Sequence, residues 1–129
     1  MHQFNVFTVN TPMQYALAAY LAEPAPYLNL AAFYADKRDF FRLGLAATKF
    51  ELLPCEGSYF QCVNYSKVAQ LQNLTEGEAC TWLTRELGVA AIPLEAFYPD
   101  SFNQQTIRFC FAKRTETLQQ ALLRLQSLS

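Results

Sequence analysis

Residues 106–112 alternate with a period of two, with Ile107, Phe109 and Phe111 on one side and Arg108 and Cys110 on the other. Such a segment is a strand with one buried face and one lighter face. It cannot stand alone: it needs strands to pair with and elements to cover its apolar side. The rest of the chain offers both. Phe50-Glu51-Leu52-Leu53 is closed by Pro54, Tyr59-Phe60-Gln61-Cys62-Val63 follows Gly57, and Val89-Ala90-Ala91-Ile92 is stopped by Pro93. Aromatic, β-branched and aliphatic runs bounded by turn residues predict three further strands. Residues 67–73 have no clear period, and residues 99–105 form a polar loop.

Between these runs the period changes to that of a helix. Thr11 is a suitable N-cap and Pro12 suits a first turn, with Met13, Ala16, Leu17, Tyr20 and Leu21 recurring behind them. Pro24 and Pro26 end that helix and start another. A long helical pattern then covers residues 27–47, with Leu30, Phe33, Tyr34, Phe41 and Leu45 as its stripe and residues 36–39 as its polar cluster. Thr75-Glu76-Gly77-Glu78 is a capping box, and the helix it opens runs to Leu87, where Gly88 supplies a left-handed end. Thr115 opens a last helix with Leu118, Ala121, Leu122, Leu125 and Leu128 on one side. The order α-α-β-β-α-β-β-α predicts an α+β fold: a two-layer α/β sandwich in which helices cover a small mixed or antiparallel sheet of about four strands.

Composition narrows the class. With 129 residues, 52% hydrophobic and 16% charged, the chain is one globular domain in size and unlike a disordered one. A net charge of −1 gives no basic stripe for nucleic acid. The apolar run over residues 16–22 is too short to span a membrane, and the first residues do not read as a signal peptide. Four glycines leave no glycine-rich phosphate loop. Cys55, Cys62, Cys80 and Cys110 lack metal-ligand spacing, so they are expected to be buried thiols in a reducing cytoplasm, with neither disulfide nor metal.

Few side chains invite chemistry. His2 is alone, which removes histidine-based metal sites and hydrolytic triads. Lys37, Lys49, Lys67 and Lys113 sit in polar company or at element ends and read as solvated. The cysteines read as packing residues. Arg108 is different, because it interrupts an apolar strand. A charge there costs several kcal/mol unless it is paired or faces a cavity. Its planar fork suits a carboxylate, held by two parallel hydrogen bonds. The polar position of a half-exposed strand accounts for it too, and spacing alone favours that simpler reading. Tyr59, Phe97 and Tyr98 could line a pocket beside it or belong to the core.

Taken together, several stretches resemble the C-terminal part of the class I/II aminotransferases, the fold-type I enzymes that use pyridoxal 5'-phosphate. The methionine and kynurenine aminotransferases are the most similar subgroup. The stretches are Val6-Phe7-Thr8-Val9-Asn10-Thr11-Pro12-Met13-Gln14, Lys37-Arg38-Asp39, Pro54-Cys55-Glu56-Gly57-Ser58-Tyr59-Phe60, Gly88-Val89-Ala90-Ala91-Ile92-Pro93 with Phe97-Tyr98, and Ile107-Arg108-Phe109-Cys110-Phe111-Ala112-Lys113. They fall in family order and cover nearly the whole chain.

The resemblance implies roles. Arg108 matches the arginine that grips the substrate carboxylate, and Gly57 a glycine whose backbone passes near substrate and cofactor. Phe7 and Thr8 match a loop that reaches into the neighbouring subunit's active site. Tyr59, Pro93 and Phe97 match positions shaping the small-domain wall. The lysine that bonds the cofactor, the aspartate on its pyridine nitrogen and the phosphate-binding residues match nothing here, and Asp36, Asp39 and Asp100 stand in other contexts. The chain is therefore expected to be the C-terminal piece of a longer transaminase, a homodimer acting on amino acids and 2-oxo acids. Residues 1–23 would be a remnant of the large domain, and residues 24–129 the linking helix and small domain. Alone it is expected to hold no cofactor covalently, to contain no catalytic residue and to be inactive. The alternatives are a stand-alone module binding an amino or oxo acid, or a structural protein docking, and self-associating, through its first two helices.

Overall fold

The computed structural model describes residues 9–99 and 102–128. The chain divides into two compact units, Met1–Ala32 and Phe33–Ser129. Phe7, Thr8, His2 and Asp100 lie outside the described residues.

In the first unit, α1 spans Thr11–Leu21 and a short α2 spans Ala25–Leu28. The cap of α1 is Asn10 and not Thr11: Asn10 Oδ1 accepts the Met13 N–H at 3.1 Å, so Thr11 and Pro12 are already helical. Asparagine caps at least as well as threonine, and it lies one residue earlier. Tyr20 and Tyr27 sit with ring centroids 6.4 Å apart. No side chain of α1 or α2 is buried, and Met13, Tyr15, Leu17 and Leu28 are all more than half exposed. The continuous helix predicted from residue 27 is broken at Asn29, whose N–H closes the turn of α2 onto Ala25 O. Helix α3, Leu30–Leu45, begins after it. Asparagine competes with a helix through its own side-chain bonding, which makes it a natural break.

The second unit holds a sheet of four strands: β1 Glu51–Leu52, β2 Phe60–Asn64, β3 Ile92–Pro93 and β4 Thr106–Cys110. Their order is β1-β2-β4-β3 and every pairing is antiparallel, which decides between the mixed and antiparallel alternatives. The α+β class and strand number follow the sequence reading. The strands at both edges are shorter than predicted, and residues 89–91 stay outside the ladder.

Strand register sorts the side chains. Val63 opposes Ile107 and Gln61 opposes Phe109, so these four share a face, and all are buried. The adjacent face carries Phe60 opposite Cys110, and Arg108 between Cys62 and Ile92. Over the buried face lie Phe41 and Leu45 of α3, Ala79 and Cys80 of α4 (Glu76–Trp82), and Leu118, Leu122 and Leu125 of α5 (Thr115–Leu125). Phe109 meets Phe50 and Phe41 edge-on, with centroids at 5.7 and 6.2 Å. Gly44 lets α3 come close to α5, because a Cβ there would press into the Leu122 side chain.

The predicted capping box is present: Thr75 Oγ1 accepts the Glu78 N–H, and Glu78 Oε2 accepts the Thr75 N–H. Helix α4 widens into a π-helical turn at Leu83–Leu87 and ends at Gly88, whose φ is 63°. The Arg124 guanidinium donates to the carbonyls of Leu87 and Gly88 at 3.1 and 3.3 Å. All four cysteines are free thiols, but only Cys80 is buried. Cys62 and Cys110 are half-buried because they lie on the lighter sheet face, and Cys55 sits in the loop before β2. Among the described residues there is no His/Cys/Asp/Glu cluster able to hold a metal, and no helix is long and apolar enough to cross a membrane.

Candidate functional site

Arg108 projects from the lighter face of β4, half-buried. Two aromatic rings enclose it. The guanidinium carbon lies 4.8 Å from the Phe60 centroid and 4.8 Å from the Phe97 centroid. Phe60 is supplied by β2, and Phe97 by the 3-10 turn Glu95–Phe97 that follows β3. Cations within about 6 Å of a ring face gain roughly 0.5–2 kcal/mol, more where water is excluded. Rings over a planar guanidinium leave its edge, with its N–H donors, as the route to a partner. No carboxylate or carbonyl takes up those donors among the described residues. The side chain is neither extended into bulk solvent nor locked in an internal ion pair.

A cavity of about 570 Å³ opens beside it, bounded by β4, the segment 88–92 and α5. That volume suits a small metabolite. Tyr59, Phe60, Ala90 and Ile92 give it apolar walls, while Arg108, Lys113 and Arg124 are its cations; among the described residues no carboxylate lines it. Arg124 is occupied with main-chain carbonyls and Lys113 is exposed, which leaves Arg108 as the enclosed cation with donors to offer.

The other residues singled out in the sequence are placed unevenly. Tyr59 lines the cavity and is half exposed. Ser58, at φ 69°, turns the chain into β2 just before it, a conformation rare for a residue with a side chain. Phe97 stacks on Arg108 without lining the cavity, and Pro93 sits in β3 opposite Ile107, also outside the lining. Gly57 lies in the exposed loop before β2, where an added Cβ would meet nothing within 4 Å, so the described residues do not themselves demand glycine there. The sequence reading missed Phe60 as the second ring on Arg108. Strand register decides that contact, and no local pattern announces it.

Two of the thiols are held toward their neutral form. Burial pushes Cys62 upward, and the neighbouring Arg108 guanidinium offsets this in part. Cys80 is pushed up to about 12 by burial, and then by the Glu76 and Glu95 carboxylates. The folded state thus holds this proton more tightly than the unfolded chain does, so the associated stability is intact below about pH 9 and drains away as pH rises toward 12. Denaturant midpoints are expected to fall between pH 8 and pH 11, and to fall less in Cys80→Ala. Equal falls in both proteins would refute this assignment.

Comparison with known proteins puts this geometry in context. The family model described as aminotransferase class I and II matches residues 1–125. The methionine aminotransferase of Escherichia coli is 50% identical over 129 residues, covering 99% of this chain and 33% of that protein. A kynurenine–oxoglutarate transaminase from Dictyostelium discoideum is 32% identical, covering 93% and 32%. Among solved structures, the Escherichia coli enzyme identified as a methionine aminotransferase superposes with a TM-score of 0.89 at 51% identity, over 98% of this chain and 33% of that one. N-succinyldiaminopimelate aminotransferase from Mycobacterium tuberculosis gives 0.84 at 32% identity, over 98% and 33%. The chain thus spans about a third of the length of the relatives it matches.

Enzymes of that family use pyridoxal phosphate, which calls for a desolvated lysine amine and a carboxylate against the pyridine nitrogen. Among the described residues no carboxylate lines the cavity, and its lysine, Lys113, is exposed. Lys37 donates to the Lys113 carbonyl and Lys67 pairs with Glu51. The described residues do not compose a site for that cofactor. What they present is an enclosed guanidinium beside an apolar cavity.

Proposed function

The chain belongs to the class I and II aminotransferases, and on that premise we propose that it is the substrate-holding small-domain portion of a pyridoxal-phosphate-dependent transaminase. The whole enzyme would move the amino group of a methionine-like or aromatic amino acid to a 2-oxo acid. Residues 1–23 would belong to its large domain, and residues 24–129 would form the linking helix and small domain. One observation carries this reading: a half-buried guanidinium, faced by two aromatic rings, borders an apolar cavity that no carboxylate lines among the described residues.

The role follows from the geometry. The substrate carboxylate meets the edge of Arg108 through two parallel N–H···O bonds. Phe60 and Phe97 hold the guanidinium plane, so the acid group is fixed in direction as well as position. With its carboxylate fixed, a substrate presents its Cα–H bond in a defined orientation, which is a large part of what an enzyme gains from binding. Tyr59 and Ile92 would face an apolar or thioether side chain. Gly57 and Pro93 would shape the approach, and Phe7 and Thr8 would serve the neighbouring subunit of a homodimer. This chain's share is binding and orientation, without a catalytic residue, and alone it is expected neither to transaminate nor to hold the cofactor covalently. Free thiols fit a reducing compartment such as the cytoplasm. The test is calorimetric titration of the purified chain with the 2-oxo acid of methionine, against the same titration of an Arg108 variant.

A second reading, an interaction surface, is favoured by the first unit. Tyr15 is 76% exposed and Leu28 69%, on helices with no buried side chain. Apolar surface on that scale seldom stays unpaired. We expect self-association through α1 and α2, seen as a sedimentation coefficient that rises with concentration and falls back in Leu17→Lys. A concentration-independent monomer would remove this reading.

A further inference from the structure

We propose that Glu76 and Glu95 form a reciprocal lock that positions the Arg108 clamp; this rests on the reading of Arg108 as a carboxylate holder. Glu76 is the first residue of α4 and is fully buried. Buried carboxylates are expensive unless hydrogen bonds repay them. Here the main chain does so. Oε2 accepts the Glu95 N–H at 2.6 Å, and Oε1 accepts the N–H groups of Gln104 and Thr106, both at 3.0 Å. Glu95 answers in kind, its Oε1 accepting the Gly77 N–H at 2.9 Å.

The placement of these bonds is what points to the site. Glu95 opens the turn that ends at Phe97, and Thr106 opens the strand that carries Arg108 two residues later. One side chain therefore holds the two segments whose side chains meet at 4.8 Å. The β3–β4 pairing also joins these segments, with Ile92 opposite Arg108 and Pro93 opposite Ile107, and beyond that ladder the Leu94 N–H reaches Thr106 O at 3.3 Å; the lock extends the tie to the turn that carries Phe97. Core packing alone gives no reason for a carboxylate at position 76, since the buried face of the sheet is closed by apolar side chains. The carboxylate's reach, bridging three N–H groups on two segments, is what an apolar residue could not supply. Glu76 and Glu95 touch no ligand in this arrangement; they act through Phe97 and Arg108.

The experiment is titration of the full 129-residue chain with the 2-oxo acid of methionine, together with the NMR signal of the Arg108 Nε–H. Wild type, Glu76→Gln, Glu95→Ala and Phe97→Ala are compared. Val68→Ala, a core change that leaves every hydrogen bond of Glu76 and Glu95 in place, serves as the stability control. Glu76→Gln is expected to weaken binding about five- to tenfold, the size of one enclosed cation–ring contact. It should also shift the Arg108 signal in the direction that Phe97→Ala does. Val68→Ala should lower the melting temperature without either change. Should Glu76→Gln not fold, Glu95→Ala carries the test with a smaller shift in the same direction. Wild-type affinity and an unmoved Arg108 signal in a folded lock variant would overturn the proposal. Wild-type protein that binds the probe no better than Arg108→Ala overturns the clamp itself, a separate failure from that of the lock.

Discussion

Replacing Arg108 by alanine is expected to weaken binding of a 2-oxo acid by about a hundredfold or more. Two charge-assisted hydrogen bonds are lost at roughly 1.5–3 kcal/mol each, and tenfold in affinity is about 1.4 kcal/mol. The substitution leaves Phe60 and Phe97 with a gap between them, but it removes no hydrogen bond within the described residues, so the fold should persist. Arg108→Lys is the sharper comparison. It keeps the charge and loses the two-pronged edge and the flat faces between the rings, so it should recover only part of the affinity. Calorimetry measures both. Affinity in Arg108→Lys equal to wild type would mean that the site reads charge alone, and equal affinity in Arg108→Ala would end the binding role.

The largest effect on stability is expected at Phe109. It is 2% exposed and meets Phe50 and Phe41 edge-on. Phe109→Ala removes a ring from the middle of the core and leaves a cavity that neighbours on β2, α3 and β4 cannot fill. Changes of this kind cost about 3–5 kcal/mol. For a domain of this size that lowers the melting temperature by roughly 15–25 °C. Leu123→Ala, on the solvent side of α5 at 58% exposure, should move it by less than about 3 °C. A shift at Phe109 as small as that at Leu123 would contradict the packing described here.

What the sequence disclosed was local. The capping box at Thr75, the left-handed end at Gly88 and the alternation through Ile107, Arg108 and Phe109 are each settled by a few neighbouring residues, and each is present in the structure. What it concealed depends on distant partners. β1 and β3 are two residues long because they pair only over that length, although their sequences suit longer strands. The break at Asn29 arises where two short helical patterns look like one long one. Arg108 was noticed because a cation in an apolar strand is conspicuous. Its ring partners are harder to read: Phe97 stands out only as a pocket wall and Phe60 only as part of a strand, because their contact with Arg108 is decided by register across three strands. Glu76 was read only as part of a helix start. An acidic residue directly after the capping threonine was the available signal, but nothing local said that its carboxylate would turn inward.

The strand order has a consequence for how the protein is made. β2 and β3 are not bonded to each other, and β4, the last of the four in the chain, lies between them. During synthesis on the ribosome, the earlier strands therefore wait with unsatisfied edges until residues 106–110 emerge and slot in. Until then neither ring has a guanidinium to hold. A nascent chain halted before that point would carry every aromatic residue of the clamp and still have no affinity for an acid, while its open strand edges would be exposed to aggregation.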